Sequence, residues 1–298
     1  MVEIKCKICG NIENKLIGKP IIYQTFPRVS QNNYQIFQCR KCKFYFVSPE
    51  IDLSQEEWGN LYENDYFTAA NVTPWQKELH DSERKMRLKS ILSRLKIEKG
   101  KFLDMGCGEG FVLNEAKKNG FEPYGVDIAY NLSPKNSNFN FFKGNIFEAN
   151  FPDDYFSAIY MDSVLEHVLN PMETLHELQR ILKPGGVFFI IVPNEDSLDN
   201  FTIQLIRNLV FQSHKYGKIK PFITPYHVNG FNKNSLRTAL AINKFKEIEI
   251  STFGSTYTFW RAYKFGSRQY IQHILMYPIA LFSAIINRQV QLMSLSGK

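Results

Sequence analysis

The chain has 298 residues, 44% of them apolar, with 36 Lys and Arg against 29 Asp and Glu for a net charge of +7, and five cysteines. That hydrophobicity excludes a disordered chain, the few cysteines exclude a disulfide-stapled secreted scaffold, and the length suits one large domain or two modest ones. The charge is unevenly placed: +5 over residues 1–50, −1 over 51–100, −8 over 101–199 and +11 over 200–298. Met1 to Gly10 carries Lys5 and Lys7 and no apolar h-region, so a cytoplasmic, reducing location is expected, at most peripheral at the inner face of the membrane.

Four cysteines come first, as two C-x2-C pairs, Cys6/Cys9 and Cys39/Cys42, with 29 residues between them. Two such knuckles can close four thiolates around one tetrahedral Zn2+, and Gly10 suits the tight turn after the first. A closed four-sulfur site has no open position, so the expected metal role is structural. Four reduced thiols, or a redox dithiol, are the alternatives, the latter lacking a surrounding βαβ unit. Ile21–Tyr23 and Tyr34–Phe37 read as short strands of a ribbon.

Residues 51–100 read as a helical connector. Ser54 with Glu57 three residues on is a capping box, and a second helix is expected over Trp75–Lys96, with Leu88, Ile91, Leu92 and Leu95 on one face. Tyr62 and Asp65-Tyr66-Phe67 could belong to a lid over a site.

From residue 101 the pattern becomes alternating strand and helix, the signature of a parallel α/β sheet. A short strand, Phe102–Met105, runs into Asp104-Met105-Gly106-Cys107-Gly108-Glu109-Gly110, and a helix follows with Val112, Leu113 and Ala116 inward and Gly120 at its end. A Gly-rich strand-to-helix turn brings backbone close to a ligand at a helix N-terminus, which suits a dinucleotide as well as other nucleosides. Further strands are expected at Tyr124–Asp127, Phe139–Phe142, Phe156–Asp162 and Val187–Val192. A helix from Asn170-Pro171 carries Leu175, Leu178, Ile181 and Leu182 inward and is stopped by Lys183-Pro184-Gly185-Gly186.

The run Leu103 to Gly110, the strand-end Asp127, the segment Leu165-Glu166-His167-Val168 and Arg180 to Gly186 together resemble the Rossmann-like S-adenosylmethionine-dependent methyltransferases. The resemblance implies a seven-stranded α/β sheet, with Phe245–Ser251 and Val290–Ser296 as sixth and seventh strands, the last antiparallel. It implies that S-adenosylmethionine lies against Asp104, Gly106, Cys107, Gly108, Gly110, Asp127, Ile128, Asn145, Ile146 and Asp162. Asp127 would take the ribose hydroxyls, Asn145 the adenine amine in place of the usual acidic residue, and Cys107 would pack beside the cofactor. Asn131, Pro134 and Asn136 break the chain where the family has its second crossover helix.

The cysteine pairs, the aromatic strand Phe44–Pro49 and the helix after it resemble the zinc-ribbon methyltransferases of sugar and surface-polysaccharide biosynthesis. The implied division is a zinc ribbon over 1–50, a lid and connector over 51–100 and a cofactor-binding domain over 101–298. The leading expectation is O-methylation of a small-molecule, sugar or lipid-linked acceptor. Sugar C-methylation, RNA methylation on a ribbon and basic third, and a non-catalytic cofactor-binding scaffold are the other readings. Met161-Asp162-Ser163-Val164 departs from the Asn/Asp-Pro-Pro-Tyr/Phe run of base-amine methylation, which places nucleic acid behind small molecules. A hydroxyl nucleophile needs its proton removed, so Glu166, His167 and His227 are the candidate catalytic residues.

In the last third, residues 269–287 are uncharged, with Pro278 at their centre. They read as a helix packed inside the fold or as one lying against a bilayer or a lipid-linked substrate, and as too interrupted to span a membrane. Lys215, Lys218 and Lys220, with His214 and Tyr216 interleaved, form a basic patch for an anionic group.

Overall fold

A computed structural model describes residues 3–22, 33–62, 82, 84, 85, 87–89, 92, 99–129, 138–209, 222–224, 226–254 and 265–298. The expected lid cluster at 65–67, most of the 75–96 helix, the broken crossover at 130–137 and the basic patch at 214–220 lie outside the described residues.

The elements in chain order are β1 (Asn14–Gly18), β2 (Ile21–Ile22), β3 (Gln35–Cys39), β4 (Tyr45–Ser48), α1 (Gln55–Asn60), β5 (Lys101–Met105), α2 (Phe111–Lys118), β6 (Glu122–Asp127) and β7 (Asn140–Lys143). They continue with β8 (Phe156–Asp162), α3 (Pro171–Ile181), β9 (Leu182–Pro193), α4 (Leu198–Leu209), β10 (Ile223–Thr224), β11 (Asn229–Gly230), α5 (Lys233–Ile242), β12 (Lys246–Phe253), α6 (Arg268–Ile285) and β13 (Gln291–Gly297). The main sheet has seven strands in the order β12-β13-β9-β8-β5-β6-β7. Its last strand in sequence is therefore inserted between the fifth and the sixth, the order expected for a methyltransferase sheet. β5 runs parallel to both β6 and β8, and β6 parallel to β7.

The chain divides into two compact units. One comprises residues 1–53, 163–175 and 191–294, the other 54–162, 176–190 and 295–298.

In the second unit, sequence and local structure agree closely. β8 buries all of Phe156 to Met161, the continuous apolar run of a strand covered on both faces. α1 has the capping box: Glu57 N–H donates to Ser54 Oγ at 3.2 Å and Ser54 N–H to Glu57 Oε2 at 2.7 Å. α2 buries Val112, Leu113 and Ala116 and ends in a Schellman motif, Phe121 N–H on Ala116 O and Gly120 N–H on Lys117 O. Gly120 there has φ +85°, the left-handed position glycine takes without penalty. α3 ends at Ile181, just ahead of Lys183-Pro184-Gly185-Gly186 as expected, while β9 opens at Leu182, five residues before the expected Val187. Gly185 has φ +73° there, and the chain end pairs alongside, with Lys298 N–H on Gly186 O at 3.2 Å.

In the first unit a four-stranded sheet has the order β1-β3-β4-β11, so the cysteine-bearing ribbon is continued by a strand almost 190 residues downstream in the chain. β11 pairs antiparallel with β4, Asn229 opposite Phe46 and Gly230 opposite Tyr45. Only glycine fits there: a Cβ on Gly230 would lie 2.5 Å from Phe222 Cζ and 2.7 Å from Glu195 Cγ. α6 forms despite Pro278, behind a Ser267 cap that accepts from Tyr270 N–H. It lies against α4, but its apolar side chains are largely outward, Leu275 being 68% and Ile285 80% exposed. The inward-packed reading of 269–287 is thus corrected. Pro278 lacks an N–H and the apolar residues spread around the helix rather than along one stripe, so no single face can be buried. Among the described residues, no helix is long and apolar enough to cross a membrane.

Candidate functional site

The first candidate site is built from the C-terminal ends of β5, β6 and β8, adjacent parallel strands of the second unit, where ligands of open α/β sheets bind. β5 ends in a loop whose Gly106, Gly108 and Gly110 have φ of +78°, +50° and +79°, a path that glycine follows without the penalty other residues incur. Gly106 N–H bonds Val126 O at 2.7 Å, fixing the loop over β6, and Gly110 is the N-cap of α2 with no side-chain cap. A Cβ at Gly108 would meet nothing within 4 Å, so the loop borders open space. Cys107 turns away from that space. Its Sγ is buried with Leu113, against Phe139 and Phe141, and would touch a Cβ added at Gly125. Burial pushes its thiol well above the usual range, which makes it a packing residue.

Asp127 closes β6 and braces the loop. Its Oδ2 accepts from Gly108 N–H at 2.8 Å and its Oδ1 from Ala129 N–H at 3.0 Å, which leaves lone pairs on both oxygens. Burial raises its pKa and the backbone donors oppose the shift. Asp104, fully buried at the end of β5, is pushed up to about 8, by desolvation first and then by Asp162 and Asp127, against the pull of Arg84. Arg84 Nε lies 3.5 Å from Asp162 Oδ2. Three carboxylates with one guanidinium make a pole that favours a cationic ligand. Ile128 is half-buried beside Asp127 and Ile146 is buried after β7. Asn145 is exposed, and its Oδ1 already accepts from Phe147 and Glu148 N–H, so it serves as a turn former with its oxygen engaged. Arg84 was not singled out by sequence: it sits among alternating charges where one partner looks like any other.

The second cluster is in the first unit. Ligating atoms of Glu166, His167 and His227 lie within 4.8 Å of one another. The His167 and His227 rings meet edge-on with centroids 4.8 Å apart, and His167 Nε2 is 3.7 Å from Glu166 Oε1. His167 Nδ1 is 2.8 Å from Tyr226 O, an obligate acceptor, so Nδ1 carries the hydrogen and Nε2 the lone pair. Burial, then His227, push its pKa down to about 3, so the ring is neutral. Asn229 ties the two stretches together, Nδ2 donating to Val168 O at 2.6 Å, while Glu166 O accepts from Val228 and Asn229 N–H. The structure thus joins the three residues proposed for proton removal, and it adds Tyr226 and Asn229, whose roles have no local sequence signal.

The cysteines form a third cluster. Sγ of Cys6 and Cys42 are 3.5 Å apart and those of Cys9 and Cys39 3.6 Å, too far for disulfides. The edge of a tetrahedron with 2.3 Å Zn–S bonds is about 3.8 Å, so the donors fit the metal. Both knuckles use the same turn: Gly10 N–H on Cys6 O and Lys43 N–H on Cys39 O, each at positive φ. The close contact between the Cys6 and Cys42 sulfurs lowers the pKa of Cys6 and raises that of Cys42, as when two thiols share one proton.

Comparison with known proteins agrees with this architecture. The profile of the methyltransferase domain family matches residues 80–248, more than half of the chain. An uncharacterised protein of Methanocaldococcus jannaschii is 32% identical over 136 residues, 43% of this chain and 53% of that protein. A sterol 24-C-methyltransferase of Gibberella zeae is 30% identical over 205 residues, 63% of this chain and 52% of the other. A ubiquinone biosynthesis O-methyltransferase of Xanthomonas oryzae is 25% identical over 61% of this chain and 83% of its own. The chain spans about half the length of the first of these curated relatives. Among solved structures, an S-adenosylmethionine-dependent methyltransferase of Archaeoglobus fulgidus superposes with a TM-score of 0.52, at 20% identity over 78% of this chain and all of that one. A Haemonchus contortus phosphoethanolamine N-methyltransferase bound to S-adenosylmethionine gives 0.53, at 14% identity over 85% of this chain and 62% of its own. At such identities the structures share the fold, and it is the profile match that decides membership: the chain belongs to the methyltransferase domain family, in its S-adenosylmethionine-dependent class.

Proposed function

We propose that this chain transfers the methyl group of S-adenosylmethionine to a hydroxyl of a small-molecule acceptor, sugar-like or lipid-linked. The observation that carries the reading is the junction of β5, β6 and α2, where Asp127 braces a loop of three left-handed glycines beside two further carboxylates. In this reading the lone pairs that Gly108 and Ala129 leave on Asp127 accept the ribose hydroxyls. Gly106, Gly108 and Gly110 let the backbone approach, Asp104 and Asp162 favour the cation, Ile128 and Ile146 supply apolar walls, and Asn145 forms the turn at the adenine edge.

When bound, the cofactor supplies a methyl already activated on sulfonium sulfur. The chain's own work is to hold the acceptor in line and keep water out. Glu166, His167 and His227 would take the proton of the acceptor hydroxyl as its oxygen receives the methyl group. The four cysteines hold a structural Zn2+, so residues 1–50 act as a ribbon, 51–100 as a connector and 101–298 as the cofactor-binding and catalytic part. Acceptor names among the relatives, a sterol and quinones, favour an apolar or lipid-linked acceptor here. So do the outward apolar side chains of α4 and α6, Leu209 and Leu275 among them, on the most basic third of the chain. We place the peripheral membrane contact on α6, within the 269–287 stretch.

Incubation with methyl-labelled S-adenosylmethionine and a panel of hydroxylated isoprenoids, polyprenyl-linked sugars, nucleotide sugars and RNA tests the reading. Label should appear on an oxygen of a lipid or sugar acceptor. Label on carbon, or in RNA alone, would contradict it.

A further inference from the structure

We propose that Glu166, His167 and His227 form a binding site for a divalent transition-metal cation of the Zn2+ type, separate from the four-cysteine cluster. The inference rests on the reading above only for what the cation does, not for whether it binds. Two imidazoles and one carboxylate are the donor set of catalytic zinc and related sites that keep a position open for substrate.

The geometry is close to what a cation imposes. Glu166 Oε1 and His167 Nε2 are 3.7 Å apart, where a tetrahedral ion with bonds of 2.0–2.2 Å sets an edge of about 3.4 Å. All three ligating atoms lie within 4.8 Å. Because Tyr226 O takes the Nδ1 hydrogen of His167, the Nε2 lone pair points toward a carboxylate oxygen. A backbone carbonyl on the second ring nitrogen is also the outer partner that orients metal-binding histidines.

The ligands come from stretches about 60 residues apart, and the backbone holds them together before any ion arrives. Glu166 O accepts from Val228 and Asn229 N–H at 3.1 and 3.0 Å, and Asn229 Nδ2 reaches Val168 O. Glu166 is 2% exposed, whereas His227 is only half-buried, so a bound ion would have one accessible side. There it would hold an acceptor oxygen and make its hydroxyl more acidic.

The test is metal content of the full chain by mass spectrometry after equilibrium dialysis against Zn2+, compared with His167→Gln and His227→Asn. We expect each variant to hold one equivalent less than the parent, while the cysteine-bound metal remains. Cobalt-loaded protein should show the same loss as weak visible bands of nitrogen and oxygen ligation, with the thiolate charge-transfer bands unchanged. Identical stoichiometry and spectra in parent and His227→Asn, the half-exposed position that leaves the core intact, would overturn the proposal. S-adenosylmethionine binding is measured alongside: its absence with the extra metal equivalent present contradicts the methyl-transfer reading and leaves the cation site standing.

Discussion

At the scale of single residues, the carboxylates at the strand ends make the sharpest statements. Asp104 has a folded-state pKa of about 8 against an ordinary value near 4, so the folded chain holds a proton that the unfolded chain releases between those values. Stability from this group is therefore fullest below pH 4 and is lost as pH rises toward 8. Asp104→Asn should flatten that part of the pH–stability curve in denaturant titrations, and an unchanged slope would refute the assignment. A bound cation favours ionised Asp104, so S-adenosylmethionine should bind more tightly as pH rises from 6 to 8, with proton release visible as a dependence of binding heat on the buffer. Much of this pole was legible in the sequence, since Asp104, the glycines and Asp127 sit at fixed offsets from a strand end. What was not legible depends on long-range pairing. That Asn145 spends its oxygen on its own turn, that Arg84 meets Asp162, and that Tyr226 O sets the tautomer of His167 are contacts with no periodicity or motif behind them.

At the scale of elements, the strands and caps followed their sequence signals where these are local. The capping box at Ser54 and Glu57 and the glycine stop of α2 formed as expected. The early start of β9 and the outward face of α6 did not, because the first is held by the chain end at Lys298 and the second by what the rest of the unit leaves uncovered. β11 is the extreme case. Two residues join the ribbon sheet only because Gly230 has no side chain. Gly230→Ala should cost about 1–3 kcal/mol through overpacking against Phe222 and Glu195, read as a lower unfolding midpoint with cofactor affinity retained. For the proposed zinc ribbon, Cys39→Ser should lower the zinc content of the chain by one equivalent and its stability by several kcal/mol. An unchanged zinc content would contradict the four-thiolate site.

At the scale of the whole molecule, the net charge of +7 resolves into an acidic stretch that carries the proposed cofactor residues and a last third at +11 whose helices turn apolar side chains outward. If that third meets lipid, the chain should float with vesicles containing anionic phospholipid and much less with neutral ones. Leu275→Glu should reduce the floated fraction severalfold, and equal flotation would contradict the contact on α6. Calorimetric titration of S-adenosylmethionine into the full chain should show one site, and Asp127→Ala, which removes a charged acceptor, should weaken it at least about tenfold while unfolding stays cooperative. Absence of binding to the parent chain, or equal affinity in Asp127→Ala, would contradict the account.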